Sequence, residues 1–403
     1  MKRFAKIKCA LIVCFASAVA VAADGKRALG DIDFIGSAYL PSLGQIVVAG
    51  HNGVIGTLTV DGDNATLNLM ETPPEEDFTA LGKIDDSRAL VGSATGKLYS
   101  YDGTQLEELA AISEYEDPIL DIERADDGVI WAVGARGLVA KSSDTKEWEI
   151  LEIRDVIQEA MTFPGGQAAD WYFGVANVDA ESVKLTVSRN GAPAIEDDDF
   201  LMYPDEGFVQ FHYDMDETPA PSVALRFNPG PPFRAGDVSW NAVLTQGDTV
   251  TIAGEFGMIF QTNDGGETWY RRDGKMIPRE PSPAYWVAGA NNGELMWLTA
   301  AAGVSSMSTD GGKTWTSNPK PGREGIFGIL LEDDGMPIIA GAVGLLGTQG
   351  EENWSLADRT ELRLLSWMKT PMKMPDGSVL VTGGRSTVIR YTDGAWTRVN
   401  VTQ

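Results

Sequence analysis

Short apolar runs that end in a small residue recur along the chain at nearly even spacing. Residues 46–50 read IVVAG, residues 379–383 read VLVTG, and five similar runs lie between them. The small residues that end the runs are Gly50, Gly92, Gly134, Gly254, Ala300, Gly341 and Gly383. Five of the six intervals are 41 to 46 residues long, and the remaining one is 120 residues. The sequence therefore contains a repeat of about 42 residues.

Turn signals on both sides of each run predict several short strands in every repeat. Asp and Gly precede the runs, as in residues 126–128, and a second turn with Gly follows them, as in residues 134–137. Another apolar strand and a third turn come next, with little helical periodicity. A unit of about 42 residues with four strands has the size of one β-propeller blade, whereas solenoid repeats of similar length are helical.

We predict an all-β chain that forms a seven-bladed β-propeller with an inserted small β-sandwich-like module. The predicted boundaries are residues 24–155 for blades 1 to 3, 156–236 for the inserted module and 237–403 for blades 4 to 7. The insertion accounts for the long interval, and its segments alternate apolar and polar residues as half-buried strands do. Eight blades are the alternative, because residues 171–174 stand about one repeat after Gly134.

The first 23 residues predict a secretory signal peptide. Four of residues 2–8 are basic, an apolar run follows, and the run ends in an A-x-A pattern before Asp24. The run is too short to span a bilayer. We therefore expect a periplasmic protein with no direct membrane insertion. Lipid attachment at Cys14 is disfavoured, because the bulky Val13 precedes it where a small residue is usual.

Charge and composition exclude several classes of function. The 403 residues include 32 Lys and Arg against 58 Asp and Glu, which gives a formal net charge of −26. Such a surface repels nucleic acid. Both cysteines, Cys9 and Cys14, lie in the predicted signal peptide, and His51 and His212 are the only histidines. We therefore expect no disulfide, no metal site and no cofactor.

Two segments share a sharper motif. Residues 262–269 read TNDGGETW and residues 308–315 read STDGGKTW, and both match the Asp-box pattern S/T-x-D-x-G-x-x-W. The aspartate can accept hydrogen bonds from its own turn, the glycines take positive φ, and the tryptophan packs over the hairpin. The residues to which we assign this structural role are Asp264, Gly266, Trp269, Asp310, Gly312 and Trp315. A catalytic or calcium-binding role for the two aspartates is the less favoured interpretation.

Because of the Asp-box motifs and the repeat, the mature chain outside the insertion resembles the photosystem II stability/assembly factor-like family of BNR-repeat (Asp-box) propellers. It is similar to the non-photosynthetic bacterial branch, which includes accessory proteins of resistance-nodulation-division exporters. The resemblance implies an exported, non-enzymatic propeller that binds a protein partner as an assembly or accessory factor of a membrane complex or exporter. Photosynthetic members present an arginine-rich patch, whereas this chain is acidic overall.

Asp-box propellers also include sialidases and other glycoside hydrolases. A sialidase would require an Arg-Ile-Pro segment near its beginning, and the chain contains none. A glycosidase with two carboxylates needs only a pair of acids across a cleft, which an acidic sequence can supply. An Asp-box glycoside hydrolase or a carbohydrate-binding propeller is therefore the alternative function.

Propeller topology predicts where a partner would bind. The turns between the second and third strands of all blades emerge on one face, around the central channel. We predict a binding ring on this face that consists of His51, Asn52, Arg136, Phe256 and Arg385, with Glu255 and Val343 in equivalent turns. Arg and Phe are typical interface anchors, although they also serve to pack neighbouring blades. The inserted module is the second candidate surface.

Overall fold

The computed structural model describes residues 27–153, 235–273, 284–293, 295–350 and 353–403, and short strands between residues 156 and 227. The predicted signal peptide and His212 lie outside these residues. Within them, nearly all regular structure is β-strand, and the helical elements are turns of three residues. No helix in this part of the chain is long and apolar enough to cross a bilayer.

The first three repeats each form a sheet of four consecutive antiparallel strands. The first strand of each unit is followed by a tight turn, because Asp and Gly supply the conformations that a short hairpin needs. The strands of blades 1 to 3 are β1 Gly36–Leu40, β2 Gln45–Gly50, β3 Val54–Asp61, β4 Asn64–Leu69, β5 Phe78–Lys83, β6 Ala89–Ser93, β7 Lys97–Tyr101, β8 Leu106–Ala111, β9 Ile119–Arg124, β10 Ile130–Gly134, β11 Val139–Ser142 and β12 Glu149–Ile150.

Seven strands are described after blade 3, in the part of the chain that we predict to be inserted. They are β13 Val156–Thr162, β14 Asp170–Tyr172, β15 Lys184–Arg189, β16 Ala192–Pro193, β17 Phe200–Tyr203, β18 Phe208–Phe211 and β19 Ser222–Phe227. Four of them, in the order β16-β15-β19-β13, continue one sheet, and β14-β18-β17 form a second. The sandwich arrangement of the two sheets and the boundaries of the module stay predictions.

The last four repeats again form four-stranded antiparallel units. Their strands are β20 Trp240–Gln246, β21 Thr249–Gly254, β22 Ile259–Thr262, β23 Trp269–Arg271, β24 Trp286–Asn292, β25 Leu295–Ala300, β26 Ser305–Ser308, β27 Thr316–Ser317, β28 Ile326–Leu331, β29 Pro337–Gly341, β30 Leu346–Gln349, β31 Trp354–Leu356, β32 Met368–Lys373, β33 Val379–Gly383, β34 Val388–Thr392 and β35 Ala395–Thr402.

The first strands of the units close a ring. Contacts run from β1 to β5, β9, β20, β24, β28, β32 and back to β1. The all-β propeller fold predicted from the repeat is thus confirmed. The described strands give seven units in the ring, and seven blades rather than eight stays a prediction for the chain as a whole.

A ring of large apolar side chains marks the start of each blade. The seven residues are all fully buried: Phe34, Phe78, Ile119, Trp240, Trp286, Ile326 and Met368. The core clusters between blades combine residues of neighbours, as where Trp131 of blade 3 packs with Trp240 and Ile252 of blade 4. The hydrophobic effect therefore stabilises the junctions between blades as well as each blade.

Two junctions are also joined at the outer rim by parallel strand pairing. The end of β35 pairs with β4 of blade 1, with Asn400 opposite Asn64. The beginning of β13 pairs in the same way with β23 of blade 4, with Val156 opposite Trp269. The strands after blade 3 therefore extend the sheet of blade 4 outward. The predicted module is joined to the propeller by strand pairing from its first strand.

Candidate binding face

The turns between the second and third strands of a blade, here called B–C turns, have an unusual backbone. Five of them place a non-glycine residue at positive φ: Asn52 at 56°, Arg136 at 51°, Phe256 at 57°, Val343 at 54° and Arg385 at 59°. The next residue is also left-handed in each case, with φ of 69° at Gly53 and 51° at Ser386. Two successive left-handed residues make a type I′ turn, for which Asn-Gly is the preferred pair. Only blade 1 has that pair.

The other four turns place less suitable side chains at the first left-handed position. A left-handed conformation costs an L-residue about 1–2 kcal/mol, and a β-branched residue such as Val343 is a marked exception there. Burial does not offset this cost, because Val343 is 65% exposed and Phe256 is 40% exposed. These side chains therefore lie on the surface at some expense of stability.

Hydrogen bonds hold the second residue of the turn against the segment that enters the next blade. The Gly53 N–H donates to the Glu76 carbonyl over 2.6 Å, and the Gly137 N–H donates to the Val238 carbonyl over 2.7 Å. In blade 7, the Ser386 N–H donates to the Ile32 carbonyl over 2.6 Å. The B–C turns and the segments between blades thus form one face, which we call the upper face.

The structure places all five residues of the predicted ring on the upper face. The N–H of Asn52 donates to Asp77 Oδ1 over 2.6 Å, and the same oxygen lies 3.6 Å from His51 Nδ1. Arg136 Nε lies 3.4 Å from Asp117 Oδ1, with the arginine side chain 68% exposed. Ion pairs of this exposure contribute at most about 1 kcal/mol. The binding role of the ring stays a prediction.

Arg385 and Phe256 complete the predicted ring. The backbone N–H of Arg385 donates to Asp33 Oδ1 over 2.7 Å, which leaves the guanidinium outside. Its side chain is exposed and forms no ion pair with another described residue. The neighbouring Glu255 is turned inward, and its Oε2 accepts a hydrogen bond from the Ser239 N–H over 2.9 Å.

Exposed apolar side chains concentrate on the same face. Nine large hydrophobic residues are exposed among the described residues, and five of them lie here: Tyr115, Phe256, Tyr285, Val343 and Leu365. Leu365 is 81% exposed, although Leu362 and Leu364 beside it are buried. Sequence reasoning missed Tyr115, Tyr285 and Leu365, because they lie between blades and outside the repeated turns. Only Tyr115, which stands among Glu114, Glu116 and Asp117, carried a local signal.

Two segments between blades on the upper face differ in charge. Residues 70–77, between blades 1 and 2, contain four acids and no basic residue. They line a groove of about 760 Å³ together with Asn52 and Arg27, and the Arg27 guanidinium donates to the Asn52 carbonyl over 2.5 Å. Residues 357–367, between blades 6 and 7, contain two arginines, Arg359 and Arg363, and two acids, Asp358 and Glu361. Arg359 pairs with Glu324 at 2.7 Å, and Arg363 forms no ion pair within the described chain.

The first strands of blades 3 and 4 carry a polar contact that sequence reasoning also missed. Asp121 Oδ2 accepts a hydrogen bond from the Val243 N–H over 2.9 Å, and Glu123 Oε1 accepts one from the Thr245 hydroxyl over 3.2 Å. Burial among the inner strands raises the pKa of Asp121 to about 6. Burial, with the nearby Asp121 charge, raises the pKa of Glu123 to about 8. The signal was a pair of acids at alternate positions of a strand whose counterparts are mostly apolar.

The Asp-box residues lie in the turns at the opposite end of the blades, here called the lower face. Asp264 Oδ1 accepts hydrogen bonds from the Thr262 hydroxyl at 2.8 Å and the Thr268 N–H at 2.9 Å. Trp269 is 3% exposed, and its Nε1 donates to the Gly266 carbonyl over 3.1 Å. Although burial opposes the shift, these hydrogen bonds lower the pKa of Asp264.

The second Asp-box repeats these contacts. Asp310 accepts hydrogen bonds from the Ser308 hydroxyl at 2.8 Å and from the N–H of Thr314 at 2.9 Å. Trp315 Nε1 donates to the Gly312 carbonyl over 3.0 Å. Hydrogen bonding to their own turns thus occupies both aspartates. Within the described ranges, no group of three or more potential ligands could hold a metal ion.

A cleft of about 560 Å³ on the lower face separates blades 3 and 4. Lys141 crosses it, with Nζ donating to the Gly265 carbonyl over 2.6 Å and lying 5.8 Å from the centre of the Trp131 ring. Trp131 is only 3% exposed. Trp148, which also lines the cleft, is half-buried, and its Nε1 donates to the Thr145 carbonyl over 3.1 Å.

Comparison with known proteins identifies the fold. No family model matches the chain, and no curated protein matches it significantly. The WD40 β-propeller domain of Doa1 has a TM-score of 0.54 at 9% identity, over 90% of this chain and 94% of that chain. YCF48 bound to D1 peptide has a TM-score of 0.48 at 12% identity, over 80% of each chain. Virginiamycin B lyase from Staphylococcus aureus has a TM-score of 0.48 at 9% identity, over 81% of this chain and 85% of that chain. At these identities the likeness is one of fold, and the chain is a β-propeller.

Proposed function

We propose that the protein is a non-enzymatic scaffold that binds a protein partner through the upper face of its propeller. The observation that carries this proposal is the concentration of exposed apolar side chains on that face. Two of them, Phe256 and Val343, occupy left-handed turn positions where Asn or Gly would be less costly. Exposed apolar surface of this kind is typical of interaction sites.

The finer part of the proposal is that the protein works outside the cytoplasm, in the periplasm, as an accessory or assembly factor of a membrane complex. A resistance-nodulation-division exporter is the candidate complex. Support comes from the signal-peptide pattern of residues 1–23 and from the family resemblance of the Asp-box repeats. The acidic composition is compatible with a protein that stays in solution beside its membrane partner.

Affinity purification from envelopes of the native host tests this proposal. The tagged chain is compared with an upper-face variant, Val343→Asn with Leu365→Ser, and with a control, Leu356→Ser, in β31 of the same blade. Leu356 is 42% exposed but lies on the outer strand. We expect the wild type and the control to recover the same envelope proteins and the upper-face variant to lose them. Equal recovery by all three would refute the proposal.

Deletion of the inserted segment is a weaker test than these substitutions. Val156 is fully buried, and it pairs with Trp269 in the sheet of blade 4. Removal of residues 156–236 would therefore expose the rim of that blade as well as delete the second candidate surface. A deletion that begins after residue 162 keeps the pairing and separates the two effects.

A glycoside hydrolase or carbohydrate-binding propeller is the second candidate function. One observation favours it, namely two carboxyl groups of raised pKa near each other, Asp121 and Glu123. Both accept hydrogen bonds from blade 4, which is a structural use of the same groups. Hydrolysis of a glycan panel, abolished in Asp121→Asn or Glu123→Gln variants that remain folded, would establish the enzyme and contradict the scaffold.

A further inference from the structure

We propose that the upper end of the central channel is a binding site for a small zwitterion of the size of an α-amino acid. The anionic end of the ligand contacts Lys369 of blade 7, and its cationic end contacts Asp121 of blade 3. This site is separate from the exposed turns that carry the proposed function, and it takes a small molecule rather than a protein.

Charged side chains are rare on the inner strands that surround the channel. Apart from residues that end a strand, the seven inner strands contain three of them, Asp121 and Glu123 in β9 and Lys369 in β32. All three are half-buried, although neighbouring blades pack against both sides of every inner strand. The open space beside an inner strand is the central channel. We therefore assign the exposed part of these side chains to the channel.

Asp121 and Lys369 face each other across the channel. In the ring of inner strands, β9 and β32 are separated by two strands on one side and three on the other. The two residues nevertheless interact, since burial lowers the pKa of Lys369 and the Asp121 charge opposes this shift. Asp121 is the third residue of β9 and Lys369 the second residue of β32, so they lie at similar depth below the upper face.

The ammonium group of Lys369 lacks the contact that equivalent residues make. In blades 2, 4 and 7, the second residue of the inner strand lies in a β-bulge and has no partner in the second strand. In blade 2, Thr79 at this position donates to the Ile119 carbonyl of the next blade over 2.5 Å. In blade 4, Asn241 donates likewise to the Trp286 carbonyl over 2.8 Å. Lys369 forms no hydrogen bond or ion pair with another described residue, so its charge is available to a ligand.

The carboxylate of Asp121 also keeps capacity for a ligand. It accepts hydrogen bonds from the Val243 N–H over 2.9 Å and the Ile122 N–H over 3.0 Å, whereas a carboxylate can accept about four. Within the described chain, no basic side chain lies at ion-pair distance from it. Burial raises its pKa to about 6, which leaves it ionised at neutral pH. The channel thus holds an ammonium and a carboxylate that face each other without contact.

A ligand with both charges fits this arrangement better than a ligand with one. A carboxylate ligand is attracted by Lys369 and repelled by Asp121, and an ammonium ligand meets the opposite combination. Glu123 adds little charge at neutral pH, because burial and the Asp121 charge raise its pKa to about 8. A zwitterion can form a charge-assisted hydrogen bond at each end. The ligand must also be small, since it lies between the inner strands.

Isothermal titration calorimetry of the purified protein at pH 7 and low ionic strength tests the inference. The probes are L-alanine, which carries both charges, and acetate and methylammonium, which carry one each. We expect alanine to bind about tenfold more tightly than either probe of single charge, and added salt to reduce the difference. No binding of alanine, or equal binding of the three probes, would overturn the inference.

A matched pair of lysine variants places the site in the channel. We expect Lys369→Gln to weaken alanine binding at least tenfold. The control Lys373→Gln lies in the same strand, but Lys373 Nζ donates to Glu332 at 3.0 Å and to Asp333 at 2.8 Å. This control should therefore bind alanine as the wild type does. An equal loss in both variants would count against the assigned residues.

The variant Asp121→Asn separates recognition from folding. It removes the charge that repels acetate and leaves Lys369 in place, so we expect acetate to bind more tightly than it does to the wild type. Such a gain cannot come from misfolding, and its absence would count against the opposition of the two charges. If alanine fails to bind while Val343→Asn with Leu365→Ser still loses envelope partners, the scaffold function stands and only the channel site is rejected.

Discussion

The turns on the two faces of the propeller use their side chains in opposite ways. On the lower face, polar side chains of the Asp-boxes bond to their own turns, and the tryptophans are buried beneath them. On the upper face, the turn residues adopt a left-handed backbone and leave Phe, Val and Arg side chains exposed. The two Asp-box turns are thus held by their own hydrogen bonds, and on the proposed function the upper turns serve for contact. Substitutions at the two ends should therefore have different consequences.

Truncation of one side chain on each face should give the largest difference in the free energy of unfolding. We expect Trp269→Ala to lower the free energy of unfolding by about 3–5 kcal/mol, because the indole is buried between blades and its Nε1 is hydrogen-bonded. The control Val343→Ala should change it by at most about 0.5 kcal/mol, since the side chain is largely exposed. Urea denaturation measures both. Similar losses would show that the faces do not differ in this way.

The Asp-box carboxylate should contribute less than the tryptophan. Asp310→Ala removes the acceptor for the Ser308 hydroxyl and the Thr314 N–H, an arrangement similar to a helix N-cap. We expect a loss of about 1–2 kcal/mol. Asp248, another exposed acid of the lower face, has no side-chain hydrogen bond within the described chain. Asp248→Ala should therefore be nearly neutral, and an equal loss in both variants would contradict the structural role of the motif.

The pH dependence of stability should distinguish the Asp-box from the inner strands. Burial raises the pKa of Glu123 to about 8, above its unfolded value near 4.5, so its ionisation destabilises the fold progressively between these two pH values. The pKa of Asp310 is lowered by the hydrogen bonds of its turn, although burial opposes this. Its contribution is fully present above the unfolded value and disappears as the pH falls through the folded value.

Unfolding by urea at several pH values between 5 and 8.5 checks this contrast. We expect the stability gained by Glu123→Gln to increase with pH across this range. The effect of Asp310→Asn should stay constant there, because the aspartate is ionised in both states. Parallel curves for the two variants and the wild type would show that Glu123 is not held in its protonated form by the fold.

Much of the fold could be predicted because local sequence patterns that recur in every repeat determine it. Apolar runs ending at residues such as Gly50 and Gly383 mark second strands, and Gly at the following turn supplies positive φ. The turn residues Arg136 and Phe256 could be found for the same reason, since they occupy equivalent places in the repeat. Their common location on one face then follows from propeller topology.

The remaining features depend on contacts between residues far apart in the sequence. Leu365 is exposed while Leu364 packs beneath the blade 6 turn, and no periodicity distinguishes them. Asp121 gains its role from Val243 in the next blade, across the segment that interrupts the repeat. The pairing of Val156 with Trp269 likewise joins the insertion to a blade that follows it. Tertiary neighbours decide all three features. The two acids of β9 mark Asp121 as unusual, but no local pattern identifies its partner in blade 4.

Substitutions at the first left-handed position of a B–C turn should give the smallest change in the free energy of unfolding. They also connect stability to the proposed function. Val343→Asn places the preferred residue of a type I′ turn at φ 54°, so we expect the protein to gain about 0.5–1 kcal/mol. The reciprocal change Asn52→Val should lose a similar amount at φ 56°. Thermal and urea unfolding measure both shifts, and the same samples serve for partner binding. A Val343→Asn variant that is more stable but binds its partner less well would show that the turn is shaped for contact at the expense of stability. If it were less stable, the valine would be making a packing contact that its 65% exposure does not suggest, and the difference between the two faces would have to be explained by packing.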